Sequence, residues 1–179
     1  DTSRVRFSED AWQELVIPME NALEAMKTLE GGCLANPDEQ RMVGHYWLRE
    51  PDLAPNEEIR EAIETAVARI KEVAASVHSG TLKGAAGSFE DVLIVGIGGS
   101  ALGPQFVGDA LGQGSRDPMR LHFLDNTDPD GMDRVFDRLQ GHLGQTLTIV
   151  ISKSGGTKET RNGMLETQAR YEKAGLEFP

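Results

Sequence analysis

The rhythm of apolar residues changes once along this chain, near Gly80. Before that point they recur at helical spacing. Beyond it they come in short unbroken runs, each followed by a polar or glycine-rich loop and then by another helical stripe. Val92-Leu93-Ile94-Val95, Leu121-His122-Phe123-Leu124 and Leu147-Thr148-Ile149-Val150-Ile151 read as three strands, the first continuously apolar as a parallel strand covered on both faces must be. Helices are predicted from about Ala101 to Leu111, along the stripe Met132, Val135, Phe136, Leu139 and Leu143, and from Thr157 onward with Met164, Leu165, Ala169 and Tyr171 available to pack inward. Strand, loop and helix repeated three times give an α/β fold with a doubly wound parallel sheet, whose ligands sit beyond the carboxyl ends of the strands. In a flavodoxin-like strand order, 2-1-3-4-5, the absence of strands four and five leaves the third strand at an edge, so that the sheet is incomplete and adhesive there.

The first part has a different character. Ser8 is placed to cap a helix beginning at Glu9, striped by Trp12, Leu15, Met19, Leu23 and Met26, with Pro18 expected to kink or split it and Gly31-Gly32 to end it. From Asn36 to Pro55 the pattern is irregular, with a short apolar turn or helix between Met42 and Trp47. Asn56 then caps a second helix. Ile59, Ile63, Ala66, Ile70, Val73 and Val77 form its apolar stripe, and Gly80 its C-terminal cap. The chain therefore divides into an α-helical arm, residues 1–80, and an α/β region, residues 89–179, joined by a small and flexible connector from Gly80 to Ser88.

Charge narrows the possible partners. The 179 residues carry 18 basic and 29 acidic side chains, a net charge of −11 that repels nucleic acid and anionic membrane surfaces at long range. No run approaches a membrane span and no charged-then-apolar leader opens the chain, so a cytoplasmic protein is expected. Cys33 is the single cysteine, which excludes an internal disulfide and fits a reducing compartment. The chain opens at Asp1 without methionine and stops at Pro179 just after a helix, and so reads as a piece of a longer polypeptide.

Against that negative background, two loops are built for an anion. Gly96-Ile97-Gly98-Gly99-Ser100 follows the first strand, and Ser152-Lys153-Ser154-Gly155-Gly156-Thr157 follows the third. Each opens a helix, where backbone N–H groups and the positive end of the helix dipole face a guest. The first loop alone leaves the guest open. Gly96-x-Gly98-x-x-Ala101 also satisfies a loose dinucleotide fingerprint, with Asp125 where an acid would hold a ribose hydroxyl. A triphosphate loop is excluded, because Pro104 stands where its lysine is required. The second loop favours a phosphate monoester: the hydroxyls of Ser152, Ser154 and Thr157, with Ser100, can replace the hydration of phosphate oxygens. Lys153 can add charge. Asn126, Thr127 and Asp128 are expected to cap the helix that follows them. The four histidines, His45, His78, His122 and His142, have no carboxylate at a spacing that suggests catalysis, and read as structural or solvated.

Three ordered motifs carry a family resemblance. Val95-Gly96-Ile97-Gly98-Gly99-Ser100-Ala101-Leu102-Gly103-Pro104, Phe123-Leu124-Asp125-Asn126-Thr127-Asp128-Pro129-Asp130-Gly131 and Ile151-Ser152-Lys153-Ser154-Gly155-Gly156-Thr157-Lys158-Glu159-Thr160-Arg161-Asn162-Gly163-Met164 resemble the bacterial glucose-6-phosphate isomerases. The resemblance implies the first part of a sugar isomerase (SIS) domain after an α-helical arm. By the same resemblance, Gly99, Ser100, Ser152, Lys153, Ser154 and Thr157 hold the sugar phosphate. It further implies interconversion of glucose 6-phosphate and fructose 6-phosphate by a homodimeric glycolytic and gluconeogenic enzyme that needs no cofactor or metal. The family's catalytic glutamate, histidine, arginine and lysine lie in motifs further along the chain, so none of the present residues is expected to be catalytic. A non-catalytic SIS module sensing a phosphosugar, a nicotinamide-binding fragment using Asp125, and an isomerase of another phosphosugar are the competing readings.

Overall fold

The computed structural model describes Arg4 and residues 6–178 and divides into two compact units, with the boundary between Glu72 and Val73. In the first unit, α1 (Glu9–Glu30) starts where the sequence places it, with the Ala11 N–H donating to Ser8 Oγ at 3.2 Å. It runs unbroken through Pro18 and is capped by Gly31. Its predicted stripe is not a core. Trp12, Leu15, Met19, Leu23 and Met26 are all exposed and no α1 residue is buried.

The segment read as irregular contains a small antiparallel hairpin, β1 (Leu34–Asn36) with β2 (Arg41–Met42), turned by the Glu39 N–H donating to Asn36 Oδ1. Strands of three and two residues are too short to show alternation in sequence. After turns through residues 45–49, Trp47 is buried, and its indole N–H donates to the Glu30 carbonyl at 2.9 Å, tying the segment to the end of α1. The second helix, α2 (Glu57–His78), begins at Asn56, whose side chain accepts from the Ile59 N–H at 3.0 Å. Of its stripe only Val77 is buried, while Ile70 and Val73 are exposed. The Gly80 to Ser88 segment is pinned rather than loose. Leu82 N–H donates to Ser76 O, Gly84 N–H to Gly87 O and Ala86 N–H to Gly144 O.

The second unit is built on a three-stranded parallel sheet of β3 (Asp91–Val95), β4 (Arg120–Leu124) and β5 (Thr146–Val150), in the order β4-β3-β5. The central strand is buried throughout, as its continuous apolar run requires. Strand residues alternate between faces, and Val95 aligns with Leu124 and Val92 with Leu121. The helices α3 (Gly99–Leu111), α4 (Pro129–Arg138) and α5 (Lys158–Lys173) divide between those faces. Gly108 of α3 packs on Leu121, whereas Gly163 of α5 packs on Val95 and Met132 and Phe136 of α4 join Leu93, Val95, Leu124 and Leu139 in one core cluster. This is the doubly wound arrangement, with each buried Leu, Phe or Met side chain contributing on the order of 1.5–3 kcal/mol.

The inward face of α5 differs from the expectation. Leu165 and Ala169 are exposed, and the buried positions are Thr160, Gly163, Thr167 and Tyr171. A Cβ at Gly163 would lie 2.8 Å from Val95 Cγ1, so small side chains are what let α5 approach the central strand. Thr167 donates back to the Gly163 carbonyl at 2.7 Å. Tyr171 donates to Thr146 O at 3.0 Å and shares a 3.1 Å hydrogen bond with Thr148, fixing α5 to β5, and its burial pushes the phenol pKa up against the smaller pull of Thr148.

Candidate functional site

The chain leaves β3 for its neighbour on one side and later returns on the other, so β3 and β5 flank the switch point of the sheet. Their following loops turn to helices on opposite faces, opening a crevice between them. Both glycine loops border that crevice. Ile151 N–H donates to Val95 O at 2.9 Å, continuing the β3–β5 ladder up to the loop mouths.

The two loops meet at Gly96. A Cβ there would lie 2.9 Å from Ser100 Cβ and 3.3 Å from the Ile151 carbonyl oxygen, so the Ser100 side chain and the backbone entering Ser152 border the same point. Gly98 takes φ +55° as it caps α3, and a Cβ on Gly98 or Gly99 would meet nothing within 4 Å. Packing does not demand glycine at those two positions. What glycine secures is the left-handed backbone at Gly98 and free approach to the amino end of α3.

In the second loop the serines accept hydrogen bonds from the loop's own amides. Gly155 N–H donates to Ser152 Oγ at 3.0 Å, and Gly156 N–H to Ser154 Oγ at 3.2 Å. Ser152 donates to Thr157 Oγ1 at 3.5 Å, a long bond that is readily redirected. Thr157 is the N-cap residue of α5, yet its side chain makes no cap bond. Ser100, Ser152 and Thr157 are half-buried, while Gly99, Lys153 and Ser154 are exposed. Hydroxyl oxygens that accept from N–H groups still carry a proton to turn toward a guest, which suits the oxygens of a phosphate.

Asp125 opens the loop that follows β4, and both its oxygens are engaged: Gln105 Nε2 donates to Oδ2 at 2.7 Å and Asn126 Nδ2 to Oδ1 at 2.8 Å. Asp128 is the N-cap of α4, accepting from Gly131 N–H at 2.8 Å, as the sequence predicts. A 140 Å³ cavity beside it is lined by Asp125, Asn126, Arg134 and Arg138.

At the opposite end of the strands lies a network invisible in the sequence. Asp91, buried at 1% exposure, accepts two hydrogen bonds from Arg120, at 2.8 and 2.7 Å, and one from His122 at 2.8 Å. His142 Nδ1 stands 3.7 Å away. Burial alone would raise the Asp91 pKa, but the hydrogen bonds of Arg120 and His122 together hold it below the ordinary range. His122 thus has a carboxylate partner after all, 31 residues away in sequence and brought close by the parallel register of β3 and β4. The pairing is structural, remote from the glycine loops. Among the described residues, no group of three or more His, Cys, Asp or Glu is arranged to hold a metal, and no helix is long and apolar enough to cross a membrane.

Comparison with known proteins bears on this geometry. The phosphoglucose isomerase family model matches residues 1–174. The chain is 58% identical over 99% of its length to a glucose-6-phosphate isomerase of Geobacter sulfurreducens, and 56% identical over its whole length to one from Desulfitobacterium hafniense. It spans 34% of the length of each. The crystal structure of a glucose-6-phosphate isomerase from Chlamydia trachomatis superposes with a TM-score of 0.78 at 26% identity, over 96% of this chain and 34% of that one.

Proposed function

The chain belongs to the phosphoglucose isomerase family, and from that premise we propose that it is the amino-terminal part of a glucose-6-phosphate isomerase, supplying the cradle for the sugar phosphate. Gly99, Ser100, Ser152, Lys153, Ser154 and Thr157 form the cradle. Residues 1–80 are the helical arm and residues 89–179 the first part of a SIS domain. The observation that carries the reading is the meeting of the Ser100 side chain and the Ile151–Ser152 backbone around Gly96, at the switch point where such a fold takes its ligands.

The cradle's role is positional. With the phosphate fixed, binding energy from a group that does not react aligns C1 and C2 of the sugar. Ring opening and proton transfer between those carbons through an enediol fall to groups outside residues 1–179. The whole enzyme is a cytoplasmic homodimer acting on glucose 6-phosphate and fructose 6-phosphate without cofactor, nucleic acid or membrane. The nicotinamide reading is disfavoured because both oxygens of Asp125 are already engaged by Gln105 and Asn126.

The test is turnover. The full-length polypeptide is expected to interconvert the two hexose phosphates and the 179-residue chain alone to do neither. Turnover by this chain alone, or none by the full-length polypeptide, overturns the assignment.

A further inference from the structure

The helix that carries Gly99 and Ser100 buries one residue, Ala101, along its 13 positions. Its outer side is apolar and open, with Leu102, Phe106 and Leu111 at 63%, 73% and 75% exposure. Toward the sheet it presents Ala101, Pro104, Gln105 and Gly108, spaced one helical turn apart and mostly small. Pro104 has no N–H to give the Ser100 carbonyl, so the first turn of α3 lacks one of its internal hydrogen bonds. Immediately after it, half-buried Gln105 makes a directional bond across to β4, donating to Asp125 Oδ2 at 2.7 Å.

Asp125 is itself held. Asn126 Nδ2 donates to its other oxygen, Asn126 Oδ1 accepts the Asp128 N–H at 2.8 Å, and Asp128 caps α4. A polar chain therefore runs from α3 through the tip of β4 to the start of α4. Ser100 lies five residues before Gln105, roughly 7.5 Å along the helix axis. Any roll or slide of α3 at Gln105 is carried to Ser100.

We propose that Gln105 and Asp125 are positioning residues for the phosphate cradle: their hydrogen bond sets the roll of α3 and so aims Ser100 and the α3 amides at the crevice between β3 and β5. This deepens the function proposed above and rests on it. Neither residue touches the phosphate. Asp125, which a dinucleotide reading would turn toward a ribose, instead faces inward to α3.

The test uses the full-length enzyme, with Gln105→Ala, Asp125→Ala, Asp125→Asn, the Gln105→Ala/Asp125→Ala double variant, and Ser152→Ala as the control for the cradle. The KM for glucose 6-phosphate and the inhibition constant of inorganic phosphate are read beside kcat and melting temperature. Gln105→Ala and Asp125→Ala are each expected to raise both constants by roughly five- to tenfold, as loss of a charge-assisted bond allows, with kcat within about twofold. The double variant should be no worse than either single one, because both break the same bond. Asp125→Asn should restore near-normal constants, since the Gln105 amide can turn over and accept from the new amide. If Ser152→Ala raises both constants while Gln105→Ala and Asp125→Ala lower only the melting temperature, the clamp is wrong and the cradle stands. If Ser152→Ala also leaves both constants unchanged, the cradle reading fails and the clamp with it.

Discussion

Thr157 is the N-cap residue of α5, yet its side chain makes no cap bond; its hydroxyl instead faces Ser152 Oγ at 3.5 Å, inside the second glycine loop. A threonine at an N-cap ordinarily contributes about 1 kcal/mol through a bond to a first-turn amide, and here that bond is absent. Thr157→Val should therefore cost little stability while removing one hydroxyl of the proposed phosphate cradle. The expected result is a melting temperature within about 2 °C of the parent, from a change of a few tenths of a kcal/mol, and phosphate binding weakened roughly tenfold. Thermal denaturation and a phosphate titration check both halves.

The Asp91 network makes stability depend on acid. The carboxylate is held below its ordinary pKa, so its contribution is present above the unfolded value of about 3.9 and is lost as the pH falls through the lower folded value. Asp91→Asn should destabilise the domain by about 2–3 kcal/mol at neutral pH, less than a fully buried ion pair would imply because Arg120 is 59% exposed. It should also flatten the fall of stability on acidification below about pH 4. Urea denaturation across pH 3 to 7 measures both, and an unchanged acid slope in the variant would count against the network.

Glycines in two helices should respond to alanine to very different degrees. At Gly163 a Cβ meets Val95 Cγ1 at 2.8 Å, and the valine is fully buried with no room to retreat. Overpacking there is expected to cost about 1–3 kcal/mol, outweighing the gain in helix propensity. At Gly103 a Cβ meets nothing within 4 Å beyond its chain neighbours, but the ring of Pro104 crowds a Cβ on the helical residue before it and offsets the propensity gain, so Gly103→Ala should change stability by less than about 0.5 kcal/mol. Paired melting curves decide it.

The β5 strand lies at the edge of its sheet, with Ile149 and Val150 each 39% exposed. Unpaired apolar edges recruit other strands. The 179-residue chain studied alone is expected to self-associate in light scattering, and Val150→Lys to shift it toward monomer. A monodisperse monomer for the parent chain, with β5 amides protected from hydrogen exchange, would contradict this.

What could be read from the sequence was local. Ser8, Asn56 and Asp128 cap the helices they precede, Gly80 follows the end of α2 with φ +71°, and the unbroken run of β3 marks it as the buried central strand. Three strand–loop–helix units imply parallel strands, and parallel pairing of β3 and β5 puts their carboxyl ends side by side, which is why the two loops could be expected at one edge. What escaped was tertiary. Helical periodicity favoured Leu165 and Ala169 as the inner face of α5, but closeness to Val95 favours Gly163 and the threonines. The same periodicity in α1 marks an apolar stripe that the described residues leave open. Asp91, Arg120 and His122 become a network only through strand register, and Trp47 finds the Glu30 carbonyl 17 residues away.

Steady-state kinetics of the full-length enzyme carrying Ser100→Ala and Ser152→Ala, alone and together, tests the cradle most directly. If the two loops share one phosphate, each variant raises the KM for glucose 6-phosphate and the inhibition constant of inorganic phosphate in parallel, by roughly tenfold or more. The double variant then departs from the product of the two, as neighbouring donors on one ligand do. Unchanged KM and phosphate inhibition in both single variants would contradict the account.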